Sequence, residues 1–347
     1  MPQTAIRKLC GGESLNREDA LKTIHGLMDG KYTPSQIGAI LIALHIKGET
    51  VEEVTGFAMG MHERLIPVHA KRTPLLDTCG TGGSSFRVFN VSTCSAFVAA
   101  AAGIGVAKHG NRAVTGVCGS ADVLEALGIQ VDITPEQCAD CIDSVGIGFI
   151  FAQRHHPALA HVGPSRREIG VRTIFNLLGP LSNPAGAKMH ALGVYEPSLC
   201  SLAAKVLREL GSTSAVVMHG DIGLDEISIV GETQISELRN GEVEDYTLHA
   251  ADFGVDESSM DLNALAPAST TAENAALVRE ALSGVDIDAG GRSRRTLVAV
   301  NAAAALRTAG LAESWKEAVD LANTTISERR ALDKLNELTE FTRSFIR

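Results

Sequence analysis

Between an apolar run and a helix expected to begin near Asn90 lies Asp77-Thr-Cys-Gly80-Thr81-Gly82-Gly83-Ser84-Ser85. Glycines here let backbone N–H groups approach an anion, and the helix amino terminus that follows adds partial positive charge, so a phosphate or diphosphate is the fitting ligand. A plain tight βα turn has the same composition. Two other phosphate loops are excluded: Ser85 stands where a dinucleotide fingerprint needs its third glycine, and no Gly-Lys-Ser/Thr follows as in a P-loop. A second stretch, Lys108-His109-Gly110-Asn111-Arg112-Ala113, brings two permanent cations and an amide, with Gly116 and the helix start at Ser120 beyond it. It reads as a second phosphate loop, with Ser120 as a good N-cap. The third stretch, Gly223-Leu224-Asp225-Glu226, offers adjacent carboxylates, hard oxygen donors of the kind that hold Mg²⁺ while the metal bridges to substrate phosphates.

These loops need elements to carry them. Apolar residues recur at helical spacing through the first seventy or so positions, as Leu21, Ile24, Leu27, then Ile37, Ile40, Leu41, Leu44, then Val54, Phe57, Met61. Thr33, Pro34 and Gln36 form a capping box with proline at the first helical position, and Thr50 with Glu53 repeats it without proline. From Pro74 short apolar runs alternate with helical patterns, the βαβ rhythm of a parallel sheet. Leu75 and Leu76, Ile104 to Ala107, Ile147 to Ala152, Ala191 to Val194, Ala215 to His219 and Ile227 to Val230 read as strands. Val91 to Ala102, Ala121 to Leu127 and the stretch opened by the Thr134, Pro135, Gln137 box read as helices, Gly231 to Leu248 as a polar hairpin, and the last third as mostly helix. Phosphate loops that follow successive parallel strands emerge at one carboxyl edge, where ligands bind. The expected fold class is therefore α/β, a small all-helical domain plus a larger α/β domain with a mostly parallel central sheet. The boundaries are 1–70 and 71–347, with a segment of about 165–185 returning to the helical part.

The composition suits this. Of 347 residues, 45% are hydrophobic and 21% charged, values of an ordinary globular chain and not of a disordered one. Acidic residues exceed basic ones by 41 to 31, a formal net charge of −10 that repels polyanions, so nucleic acid is not an expected partner. No apolar run reaches the ~20 residues of a membrane helix, Met1 to Cys10 lacks a signal-peptide core, and seven scattered cysteines suit a reducing cytoplasm.

Taken together, Gly80-Thr-Gly-Gly, Lys108-His-Gly-Asn-Arg, Gly119-Ser-Ala-Asp-Val-Leu-Glu-Ala-Leu-Gly128, the run from Arg166 to Pro184 containing Arg-Thr-Ile-Phe-Asn-Leu-Leu-Gly-Pro, and Gly223-Leu-Asp-Glu resemble the anthranilate phosphoribosyltransferases. The resemblance spans nearly the whole chain, and the order of its pieces is what makes it specific. It implies the fold of class II nucleoside phosphorylases, a homodimer, Mg²⁺ as cofactor, and transfer of the 5-phosphoribosyl group of phosphoribosyl diphosphate (PRPP) to anthranilate in tryptophan biosynthesis. It also implies PRPP contacts from Gly80, Gly83, Ser84, Val88, Asn90, Val91, Ser92, Thr93, Lys108, His109, Gly110, Asn111, Arg112, Ala113, Val114, Thr115, Gly116 and Ser120. Anthranilate would meet Gly80, Asn111 and Arg166; magnesium would meet Ser92, Asp225 and Glu226; and Lys108 and Arg166 would serve catalysis. Positioning and electrostatics would do most of the work, since no Ser/His/Asp nucleophile set is visible and an aniline nitrogen needs little activation.

The chain departs from the family where an acidic residue usually follows Gly-Thr-Gly-Gly and Ser84 stands instead, at Val88, where a hydroxyl residue is usual, and at Gly116, Val117 and Cys118, where Ser-Lys-Ser is common. Two rival readings share the fold. A nucleoside phosphorylase lacks the Arg166 segment and the acidic turn, and a non-catalytic nucleic-acid-binding paralogue needs a basic groove. Cys138 and Cys141 read as helix packing, Trp315 as packing or surface, and His155 with His156 as the surface start of a helix, ahead of a place lining the acceptor entrance.

Overall fold

The computed structural model describes residues 2–113, 116–285 and 287–346. Four helices open the chain: α1 (Pro2–Cys10), α2 (Arg17–Met28), α3 (Pro34–Lys47) and α4 (Val51–His62). Both expected capping boxes are formed, Thr33 with Gln36 and Thr50 with Glu53, each satisfying two helix-end N–H groups locally. Then follow β1 (Leu75–Gly80), α5 (Val91–Ala101), β2 (Gly105–Gly110), α6 (Ser120–Ala126), α7 (Pro135–Val145) and β3 (Ile147–Phe151). Short helices α8 (Ala152–His155), α9 (Gly163–Ile169) and α10 (Phe175–Leu178) lead to β4 (Met189–Gly193), α11 (Leu199–Glu209), β5 (Ser214–Gly220) and the antiparallel hairpin β6 (Glu232–Arg239), β7 (Glu242–His249). Helices α12 (Thr271–Leu282), α13 (Ala289–Thr308), α14 (Trp315–Ser327) and α15 (Arg330–Arg343) complete the chain.

The strands form one sheet in the order β3-β2-β1-β4-β5-β6-β7, parallel from β3 through β5. The chain runs outward from β1 to β3 and returns to the other side of β1 as β4, so the direction of winding reverses between β1 and β4. That reversal opens a crevice at the carboxyl ends of these two strands. Gly80 and Gly193 face each other there in register.

Alternation along the strands divides the interior. Ala191, Val216 and Met218 join a core with α5, α13 and α15, whereas Leu192, Val217 and Leu238 join α2, α3, α4 and α11 in a second. Phe175, Leu177 and Leu178 of the crossing segment lie in this second core. The opening helices therefore share buried surface with one face of the sheet.

Three expectations are corrected. Ile227 to Val230 is not a strand: the Ile227 N–H donates to Asn301 Oδ1 at 2.7 Å and its carbonyl accepts from Asn301 Nδ2 at 3.0 Å, so a side chain of α13 takes the place of a neighbouring strand. Ser120 is the first residue of α6 and not its N-cap; Gly119 caps, and Asp122 accepts from the Gly119 N–H at 2.9 Å. His155 and His156 are buried at 1% and 5% exposure: the His155 carbonyl accepts from the Ile66 N–H at 2.9 Å, and the His156 ring lies against that of His109 on β2.

His190 on β4 adds an acid-sensitive element to the core. Its Nε2 bonds to the Ala187 carbonyl at 3.0 Å, Nδ1 has no partner, and burial drives the imidazole down to about 4. A folded value below the unfolded one means the unfolded chain binds the extra proton between pH 6.5 and 4, so this contribution is full above pH 6.5 and is lost as pH falls. At ~1.4 kcal/mol per unit, His190→Gln is expected to remove about 2 kcal/mol of the stability lost between pH 7 and 4.5, read from urea midpoints.

Candidate functional site

The glycine turn after β1 is held open by backbone geometry. Gly82 and Gly83 have φ of +65° and +83°, a region that side chains disfavour. The turn is pinned by the Thr81 N–H donating to the Gly193 carbonyl at 2.9 Å. Beyond it, α5 starts with Asn90 at the N-cap position making no side-chain cap bond, whereas α3, α4, α7, α12 and α14 all carry capping boxes. The Asn90 side chain is turned aside to the Cys118 carbonyl at 3.3 Å. With that cap turned aside, the Val91 N–H donates to the Phe89 carbonyl at 2.7 Å and the Ser92 backbone faces Glu226, so the positive dipole end of the helix is directed at the turn and the acidic pair beside it.

The acidic turn lies directly against this one. Asp225 accepts from the Gly82 N–H at 2.9 Å and from the Ser84 hydroxyl, while its own N–H donates back to Ser84 Oγ at 2.8 Å. A Cβ on Gly193 would stand 1.7 Å from the Asp225 carbonyl, so only glycine at the end of β4 lets the acidic turn approach. Ser84, standing where the family usually has an acid, thus clasps the metal-candidate carboxylate. Glu226 is 8% exposed; burial and the neighbouring Asp225 hold its carboxyl well above the ordinary range.

Lys108 is 3% exposed and donates from Nζ to the Thr78 carbonyl at 2.6 Å and to Ser92 Oγ at 3.3 Å. It stiffens the floor of the crevice and ties β1, β2 and α5 together. Burial lowers its pKa, and the charges of Asp77 and Glu226 oppose that. His109 donates its backbone N–H to Asp77 at 3.0 Å; its ring lies 5.1 Å from that of His156, and burial keeps it neutral by lowering its pKa strongly. Asn111 and Arg112 are exposed, but Arg112 is gripped by Glu125 at 2.6 Å and Asp122 at 3.1 Å, both on α6. Val114 and Thr115, expected among the PRPP contacts, lie outside the described residues. Ser92, Thr93 and Val91 form the first turn of α5; Val88 is half-buried before it, and Ser120 Oγ donates to the Asn111 carbonyl at 3.2 Å.

Arg166, on α9, is half-buried with its guanidinium 5.1 Å above the Phe175 ring, and it pairs with no carboxylate among the described residues. Burial lowers its pKa. A stacked arginine with its fork unused suits a carboxylate ligand.

Residues that spacing alone did not single out also build this edge. Asp77, fully buried, accepts from Asn183 Nδ2 at 2.7 Å as well as from His109, which joins the crossing segment to the second loop. Arg172 donates to the Gly83 carbonyl and lies 4.2 Å over the Tyr195 ring. Asp77, Asn183 and Arg172 all sit inside the motif stretches; the missing signal was which of them meet.

The chain matches the helical bundle domain of a glycosyl transferase family over residues 3–65 and the a/b domain over residues 72–332. It is 46% identical over 340 residues to the anthranilate phosphoribosyltransferase of Persephonella marina, covering 97% of this chain and 98% of that one. The crystal structure of the Thermus thermophilus enzyme has a TM-score of 0.89 at 40% identity, covering 98% of this chain and 99% of that one. The Saccharomyces cerevisiae enzyme in complex with PRPP and Mg has a TM-score of 0.86 at 26% identity, covering 99% and 98%. A likeness that runs through both lobes at this identity and coverage shows the family of this glycosyltransferase: the chain belongs to the anthranilate phosphoribosyltransferases.

Proposed function

We propose that the enzyme transfers the 5-phosphoribosyl group of PRPP to the amine of anthranilate, releasing diphosphate, a step of tryptophan biosynthesis. The observation that carries this is the meeting of an uncapped helix terminus, a glycine turn and an acidic pair at one strand reversal. In this reading Gly83 and the 90–93 turn hold phosphate, together with the remaining 108–116 loop and Ser120, and Lys108 acts from below by fixing Ser92. Asp225, Glu226 and Ser92 are the magnesium donors. Their chemistry fits: two carboxylates and a hydroxyl are hard oxygens, and a divalent cation would offset both the burial and the Asp225 charge that hold Glu226 up. When bound, Mg²⁺ supplies charge neutralisation on the departing diphosphate. Gly80, Asn111 and Arg166 hold the acceptor, Arg166 gripping its carboxylate so that the amine faces the ribosyl carbon.

We also place the lobe boundary near residue 70, with 165–185 returning to the helical part, and read the protein as a cytoplasmic homodimer. The direct assay follows loss of anthranilate fluorescence on incubation with PRPP and Mg²⁺; turnover of uridine with phosphate, and none of anthranilate, would favour a phosphorylase instead. Arg166→Ala is expected to lower kcat/KM for anthranilate ~10- to 100-fold, the worth of a hydrogen bond to a charged group, while the PRPP KM moves less than about twofold.

A further inference from the structure

A bound sugar diphosphate needs positive charge around it, and most nearby cations are already committed. Lys108 directs two of its three donors to Thr78 and Ser92, Arg112 is held by Asp122 and Glu125, and Arg172 is engaged by the Gly83 carbonyl and the Tyr195 ring. Arg87 is different. It is exposed, and among the described residues it pairs with no carboxylate.

Its backbone is fixed on both sides. Phe86 donates its N–H to the Gly223 carbonyl at 3.1 Å, and Phe89 donates to the Leu265 carbonyl at 3.0 Å. From this held position the side chain crosses to the other loop: a Cβ on Gly116 would stand 3.1 Å from Arg87 Nη1. The bond from Asn90 Nδ2 to the Cys118 carbonyl spans the same two loops three residues later. The opposite wall, Gly116, Val117 and Cys118, carries no charge of its own, and Val117 is 47% exposed. A free guanidinium is therefore poised between the glycine turn, the uncapped start of α5 and an uncharged wall.

We propose that Arg87 is a phosphate-binding residue of this enzyme, its guanidinium fork gripping a phosphate group of PRPP across the mouth between the two loops. The identity of the ligand rests on the function proposed above; the demand for an anion rests on the geometry. A lysine in its place keeps the charge and loses the two-pronged grip.

The test uses the full chain as wild type, Arg87→Ala and Arg87→Lys, with thermal melts to establish equal folding. Calorimetric titrations with inorganic diphosphate plus Mg²⁺ and with ribose 5-phosphate read the anion site without any acceptor, and PRPP kinetics are measured at saturating anthranilate. Arg87→Ala is expected to raise the PRPP KM ~10-fold and to weaken one of the two small anions by a similar factor, with kcat and the anthranilate KM within about twofold and Arg87→Lys intermediate. The anion that loses affinity identifies which end of PRPP the arginine holds. Equal affinities and an unchanged PRPP KM in Arg87→Ala overturn the proposal. A wild type that binds the anions but transfers nothing to anthranilate sinks the proposed reaction alone, and the variant comparison still decides Arg87. A wild type that binds neither anion overturns both.

Discussion

Asp225→Asn is expected to lower kcat by ~10³-fold at a fixed low Mg²⁺ concentration, because a metal-held charge in a transition state is worth several kcal/mol and each ~1.4 kcal/mol is tenfold. The carboxylate is built into its place and is not a loose surface acid. Its two oxygens accept from the Gly82 N–H and the Ser84 hydroxyl, and its carbonyl occupies space that a side chain at position 193 would fill. An asparagine keeps the shape, but its amide NH₂ must face one of those two donors, so the turn loses a bond as well as its charge. The loss should shrink as Mg²⁺ is raised if binding of the metal is the cause. Ser84→Ala separates the two contributions: it leaves the charge and removes the clasp, so a milder fall of ~10-fold is expected, with the Mg²⁺ requirement shifted the same way. Activity in Asp225→Asn within threefold of wild type at every Mg²⁺ concentration would take the acidic turn out of the reaction.

What the amino-acid string discloses about this molecule follows the range of the interactions involved. The capping boxes at Thr33, Thr50 and Thr134 are legible because both partners lie within four residues, and all three form. The strand rhythm places Gly80 and Lys108 at one sheet edge because parallel strands must end there. Ile227 to Val230 has a strand's composition, yet its partner is the side chain of Asn301 on α13, which no local pattern announces. The same holds for His155 and His156, which meet Ile66 and His109 respectively, far away in the chain. Arg112 looks like a ligand-facing cation by spacing, and only the positions of Asp122 and Glu125 show it committed elsewhere. Residue types thus announce the chemistry at this edge, while the division of labour among its cations is decided by contacts distant in the chain.

Another of those contacts yields the second large effect. Asp77 is fully buried beneath the crevice and receives Asn183 Nδ2 at 2.7 Å, a bond spanning 106 positions, while His109 supplies a backbone N–H at 3.0 Å. Burial still wins over these donors and the nearby Lys108 charge, and the carboxyl is pushed up to about 6. Because that lies above the ordinary 3.8 of an exposed aspartate, the native state binds the extra proton between these values, so stability from this group is greatest below pH 3.8 and is lost as pH rises through 6. Asn183→Ala removes the first-named donor opposing burial and drives the folded value higher still, extending the loss to more alkaline pH. The variant is therefore expected to be about 3 kcal/mol less stable than wild type at pH 8, the scale of breaking a buried charged contact, and nearer to wild type at pH 5, where the native carboxyl is already mostly protonated. Urea unfolding of both proteins at the two pH values measures this. A stability difference that is the same at pH 5 and pH 8 would mean that Asn183 acts through its other bond, from Nδ2 to the Ala107 carbonyl at 2.8 Å, and that the ionised carboxylate is not what anchors the 108–111 segment over the crevice.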